Sequence, residues 1–238
     1  MAATSLVDHY LEEYMKGKQS LSKVLFKENS PLFNEDYLTK FINTGRDLYN
    51  RGLVTTNGGN ISVTDGDFVW VTRKGASLGE LMPEDVVMTA WNPNRADLAR
   101  ASSEMNIHHA IYRGSMERVE RRGQEFETMA IIHAMPPNAL FRSYVDKEIK
   151  SVDGESREVL GDSTPVLEIA GSHNSEELER LMNHMAFGEK MIVAVKGHGI
   201  FAAGRKLADA QRLIVSLEQT ANLLNLFEMT GRKLDDHC

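Results

Sequence analysis

The sequence contains a single cysteine, Cys238, which excludes an intramolecular disulfide and any cysteine-based zinc centre. It has no apolar run long enough for a signal peptide or a membrane span, and acidic residues come early, at Asp8, Glu12 and Glu13. Positive charge is in short supply as well: 27 Lys and Arg against 34 Asp and Glu give a formal net charge of −7. That balance speaks against a general affinity for nucleic acid or an anionic membrane, so an anionic ligand must be held by a local site. Linker-like composition is missing too, as are internal repeats and low-complexity segments. A soluble, cytoplasmic protein is expected, with enough chain in its 238 residues to bury a sizeable core.

What is present reads as a succession of short elements. Apolar residues recur at helical spacing from Ser5 to about Lys27, broken near Gly17, so residues 1–30 are expected to form a helical extension before a domain over 31–238. Asn34 can cap a helix that ends near Gly52. Strands are expected over Ile61–Val63 and Phe68–Thr72, joined at Asp65-Gly66-Asp67 as a hairpin, and over Val86–Trp91 before a turn at Asn92-Pro93-Asn94. Ser102 and Ser103 precede a helix with Glu104 in its first turn. Ala130–Ile132 is an apolar run into His133, and Pro136-Pro137 stops the strand from continuing. Further strands are expected over Val166–Ala170, Met191–Val195 and Ile200–Ala203, with a helix over Ser175–Phe187 between the first two. The stretch from Tyr144 to Asp162 shows no clear pattern. From Leu207 an apolar stripe marks a helix to about Thr230, which Gly231 can terminate. The irregular alternation and the hairpins favour a single α/β domain, three layers deep (α/β/α), around a mixed, largely antiparallel sheet.

Polar groups delivered at the ends of apolar runs are the candidates for chemistry. Asn57-Gly58-Gly59-Asn60 lets backbone N–H groups approach a ligand. Lys74-Gly75 adds a cation, and Ser102-Ser103 two hydroxyls at a helix start, where the dipole favours an anion. Together these pieces could cradle a phosphate. Glu104, His133 and His198 could converge on a metal ion. Each has an ordinary explanation when taken singly: a Gly-Gly turn is usually only a turn, acidic residues belong in a first helical turn, and strand-end histidines are commonly structural. His108 and His109 are assigned to their helix without a metal role, and His9, His173, His184 and His237 lie in polar or terminal contexts.

The combination is more specific. The ordered series GGNIS, TRKG, SSE with a histidine four residues on, a strand running into HAM, and KGHGIFAAG resembles the class II aldolase and adducin-head family, which includes fuculose phosphate aldolases. The resemblance implies that Asn60, Lys74, Gly75, Ser102 and Ser103 bind a substrate phosphate, that Glu104 is the acid/base, and that His133 and His198 bind a divalent metal, most commonly zinc. Where the family has the second histidine of an H-x-H pair, this chain has Met135, and a thioether is a poor zinc ligand; Glu104 could complete a His2Glu set instead. The family's aldolases also use a later tyrosine as proton donor, and none follows Tyr144 here. The implied reaction is retro-aldol cleavage of a small ketose 1-phosphate to dihydroxyacetone phosphate and an aldehyde, by a homo-oligomer, commonly a tetramer. The alternatives are an epimerase or decarboxylase acting on a phosphorylated sugar acid, and a non-catalytic, adducin-like binding protein, which Met135 and the missing tyrosine favour.

Overall fold

The computed structural model describes residues 34–123, 125–168, 180, 181, 185 and 191–231. The expected N-terminal helices, Cys238 and most of the expected helix over 175–187 lie outside them; Arg180, Leu181 and Met185 are helical. None of the described helices is long and apolar enough to cross a membrane.

A sheet of eight strands runs through the centre. In chain order these are β1 (Asn60–Thr64), β2 (Phe68–Thr72), β3 (Val86–Ala90), β4 (Met129–Ala134), β5 (Glu148–Lys150), β6 (Ser163–Leu167), β7 (Ile192–Val195) and β8 (Gly199–Gly204). Across the sheet they lie in the order β3-β2-β1-β4-β8-β7-β6-β5. Every pairing is antiparallel except β6 with β7. The hairpin at Gly66 is present, with φ +96° at that glycine.

The strands' period of two sorts their side chains into two cores. Ile61, Val63, Trp70, Ile132 and Ala202 face α1 (Glu35–Asn50) and α6 (Leu207–Thr230), meeting Phe41 and Leu48 of the first and Ile214 and Leu217 of the second. Val69, Val71, Ile131, Val193 and Phe201 face α3 (Met105–Arg121), meeting Met105, Ile111 and Tyr112. Helices thus cover both faces, which gives the three layers. Residues such as Trp70, Phe41 and Ile131 are fully buried, each burial stabilising by roughly 1.5–3 kcal/mol. Asn34 caps α1 by accepting the Tyr37 N–H at 2.9 Å, and Gly231 ends α6 in the left-handed conformation at φ +66°.

Several boundaries differ from the sequence expectation. The strand expected over Val166–Ala170 is Ser163–Leu167, and the one expected to reach Trp91 stops at Ala90. Asn94 is a helix cap as well as a turn residue: its side chain accepts the N–H groups of Ala96 and Asp97, starting the short helix α2 (Arg95–Arg100). The unassigned stretch 144–162 contains β5 and α5 (Gly154–Leu160), the latter capped by Asp153. Pro137 opens α4 (Pro137–Val145) from its first position, where a missing N–H costs nothing.

Candidate metal and phosphate site

The alternation of β1 sets up the site. Asn60, Ser62 and Thr64 point away from the aliphatic side chains of Ile61 and Val63, towards the α3 layer. In the β1–β4 ladder Asn60 is the partner of His133, and in the β4–β8 ladder His133 is the partner of Phe201. His198 lies in the turn joining β7 to β8, and Glu104 sits at the N-cap position of α3, one residue ahead of the first-turn position expected.

The capping explanation for Glu104 fails on inspection, because its side chain makes no cap hydrogen bond. Instead Oε2 accepts from Asn60 Nδ2 at 2.5 Å and lies 2.5 Å from His133 Nδ1, while Oε1 lies 2.8 Å from His198 Nε2. Burial by itself would raise the pKa of this carboxyl. The contacts with His133, His198 and Asn60 outweigh it and hold the pKa well below the usual carboxylate range. Glu104 is therefore ionised, between two imidazoles stacked 4.9 Å apart at 8°. Phe201 lies against the His133 ring, 4.3 Å away at 6°, and fixes its plane. A Cβ at Gly199 would fall 2.4 Å from His133 Nε2, so glycine is needed for the close approach; its φ is +154°.

One donor atom from each of Glu104, His133 and His198 falls within a mutual 4.8 Å. Two imidazoles and a carboxylate suit a divalent transition metal. One inner atom of the site, Asn60 Oδ1, is moreover buried with no hydrogen-bond partner. Native proteins rarely leave such groups unsatisfied, so the residues fit a bound ion. His108 is not among the three donors that come together. It is fully buried, its Nδ1 2.5 Å from Ser62 Oγ, while His109 stacks on Trp91 at 5.4 Å.

The phosphate candidates meet beside these donors, around a cavity of about 220 Å³ that also includes Glu104, His133 and His198 in its wall. Gly59 and Gly75 have φ of +86° and +74°. Asn57 Nδ2 donates to Gly75 O at 2.9 Å and ties the two glycine loops together. The end of β2 is stitched to the start of α3, Lys74 N donating to Arg100 O and Ser102 N to Thr72 O, both at 3.0 Å. Ser102 is buried, whereas Ser103 and Lys74 are exposed at the cavity wall. Met135 lines the same cavity, its methyl lying 2.1 Å from where a Gly58 Cβ would be. The thioether thus occupies the site as an apolar wall packed on Gly58.

Sequence reasoning missed three contributors. Asn57 was visible within the glycine motif but not as the tie between loops. Arg73 lines the cavity with its guanidinium held by Asp85, Nη2 to Oδ1 at 2.5 Å. Phe201 lay inside the KGHGIFAAG motif, three residues after His198, and only the strand register shows what it touches.

Known proteins resemble this chain in sequence and in fold. A family model described as Class II Aldolase and Adducin N-terminal domain matches residues 39–224. An L-fuculose phosphate aldolase of Methanocaldococcus jannaschii is 30% identical over 189 residues, 79% of this chain and 96% of the relative. A methylthioribulose-1-phosphate dehydratase of Enterobacter sp. is 26% identical, covering 76% and 90%. A 3-oxo-tetronate 4-phosphate decarboxylase of Haemophilus influenzae is 25% identical, covering 81% and 88%. Among solved structures, the L-fuculose-1-phosphate aldolase of Thermus thermophilus superposes with a TM-score of 0.67 at 26% identity, covering 81% of this chain and 94% of that one.

Proposed function

Because the chain belongs to the class II aldolase and adducin family, we propose that it is a metal-dependent lyase cleaving a small ketose 1-phosphate to dihydroxyacetone phosphate and an aldehyde. The observation that carries the proposal is the convergence of Glu104, His133 and His198 within 4.8 Å, beside a glycine-lined cavity.

In this reading Asn60, Lys74, Gly75, Ser102 and Ser103 hold the phosphate, so the reacting end of the substrate is fixed while the aldehyde end can vary. His133 and His198 would hold the ion, for which zinc is the first candidate, and the Glu104 carboxylate would complete the set only while no substrate is bound, since a coordinated carboxylate is not free to move a proton. The chemistry a divalent ion would supply there is polarisation of the carbonyl and stabilisation of the negative charge left when the C3–C4 bond breaks. Glu104, already ionised, is the group that takes up and returns the proton, and Asn60 orients it. Phe201 and Gly199 keep the His133 ring in the plane this requires.

A second reaction on the same site is supported by the relatives named as dehydratase and decarboxylase, both acting on phosphorylated compounds by their names. A binding protein without catalysis is supported by Met135 standing where a further imidazole is expected. Assembly into a homo-oligomer, with a tetramer the first expectation, and residence in the cytoplasm complete the proposal. Exposed Phe141, Tyr144 and Val145 on α4, with Met229 on α6, support a face covered by another copy.

The test is Glu104→Gln, which keeps the shape of the side chain and removes its charge. Cleavage of ketose 1-phosphates, followed as dihydroxyacetone phosphate release, should fall by about 10²–10⁴-fold with the thermal midpoint little changed. Unchanged turnover would refute the role of Glu104. Loss of water from a ketose 1-phosphate, or of carbon dioxide from a phosphorylated sugar acid, in place of aldehyde release, would select the second reaction.

A further inference from the structure

His198 owes its position to a turn, and the turn is gripped by α4. Gly197, at φ +67°, donates its N–H to Ser143 Oγ at 3.1 Å. Ser143 is completely buried in the last turn of α4, and its hydroxyl donates in turn to Leu140 O at 2.7 Å. The ring of Tyr144 covers Gly197: a Cβ there would lie 2.9 Å from both Tyr144 Cε1 and Oη. The other end of α4 follows directly on the strand that carries His133. It is pinned by Glu218 of α6, which accepts from Asn138 N, Asn138 Nδ2 and Ala139 N at 3.1, 2.8 and 2.9 Å. Near its C-terminal end Arg142 bonds Glu228 of α6 at 2.5 Å. A short helix held at both ends thus spans from the strand of one imidazole to the turn of the other.

We infer that α4 is a strut that fixes the placement of His198 relative to His133, and that Ser143 is the positioning residue through which it acts. Partners behind a metal ligand set its orientation and thereby its affinity for the ion. Removing the Ser143 hydroxyl leaves the Gly197 N–H without an acceptor and frees the turn, whereas the packing of the buried methylene is kept in alanine. The effect on metal rests on His198 being a ligand; the effect on the turn does not.

The test uses the full chain in two measurements. In metal-free protein, Ser143→Ala should exchange the Gly197 amide hydrogen at least about tenfold faster, with the rates in the middle of α6 unchanged. Tyr144→Ala, which removes the ring lying over Gly197, should speed the same amide. In titrations with Co²⁺, Ser143→Ala should weaken the dissociation constant about ten- to a hundredfold, and in a His198→Ala background it should weaken it no further. Unaltered Gly197 exchange overturns the inference, as does an equal loss of Co²⁺ affinity in both backgrounds, which would mark a general loosening. If the wild type takes up no Co²⁺, the metal reading of the site fails, and the Gly197 exchange rate still decides whether Ser143 positions the turn.

Discussion

Lowering the pH from about 7 to about 5 should destabilise this protein in part through one buried imidazole, that of His108 on α3. The side chain is fully enclosed, with Nδ1 2.5 Å from Ser62 Oγ, which is itself 2.6 Å from Tyr112 Oη. Its Nε2 has no partner. Burial pushes the pKa of the ring down from 6.5 to about 3, against the pull of the Glu104 charge and with the help of His133 and His109. In the unfolded chain the same imidazole takes up a proton near its ordinary pKa. Between these two values the unfolded state holds the extra proton, so stability present above pH 6.5 is lost progressively as the pH falls towards 3. At about pH 5 the loss through this group amounts to about 2 kcal/mol, since each pKa unit is worth about 1.4 kcal/mol and roughly one and a half units have been crossed. Urea unfolding at a series of pH values and constant salt, on the wild type and on His108→Asn, isolates the term. The variant keeps a polar group near Ser62 but cannot titrate. The wild type should lose about 2 kcal/mol more than the variant between about pH 7 and about pH 5; parallel curves would refute the assignment of a neutral, buried His108.

Two substitutions probe the donor set directly. Met135→His supplies a further imidazole beside His133 and should tighten Zn²⁺ or Co²⁺ binding by more than about tenfold in calorimetric titration; an unchanged affinity would mean that the new ring stays on the Gly58 wall. Gly199→Ala places a methyl 2.4 Å from His133 Nε2 and 2.7 Å from Ala134 O, at φ +154°. It should cost roughly 1–3 kcal/mol in denaturant unfolding and abolish metal uptake; wild-type stability with intact uptake would show that the β4–β8 edge yields instead.

The parts of the molecule that were legible in the sequence are those whose signal is local. The apolar stripe of α6 and its terminating Gly231, the Asp65-Gly66 hairpin, and His133 at the mouth of a strand stopped by prolines each depend on residues within a few positions of one another. The stretch 144–162 was not legible because its inward-facing apolar residues, Ile149, Val159 and Leu160, are too few and too unevenly spaced to set a period. Helix α2 has no buried residue at all, so it carries no amphipathic trace. Glu104 is the instructive case in the site. Its position before a helix invites a capping explanation, and only the approach of Asn60, 44 residues earlier in the chain, shows where the carboxylate is used. Ser143 belongs to no motif, and its role becomes visible only when the far turn closes on it.

The register of β1 against β4 works as a gauge block. Asn60, at the end of the glycine loop that would hold the phosphate, is the rung opposite His133, which would hold the ion. A slip of one residue would turn β1 over and bring Ile61 to the place of Asn60. The distance between the glycine loop and the donor set is therefore held by a hydrogen-bonded ladder that cannot stretch. The surrounding turns can change length without resetting the gauge.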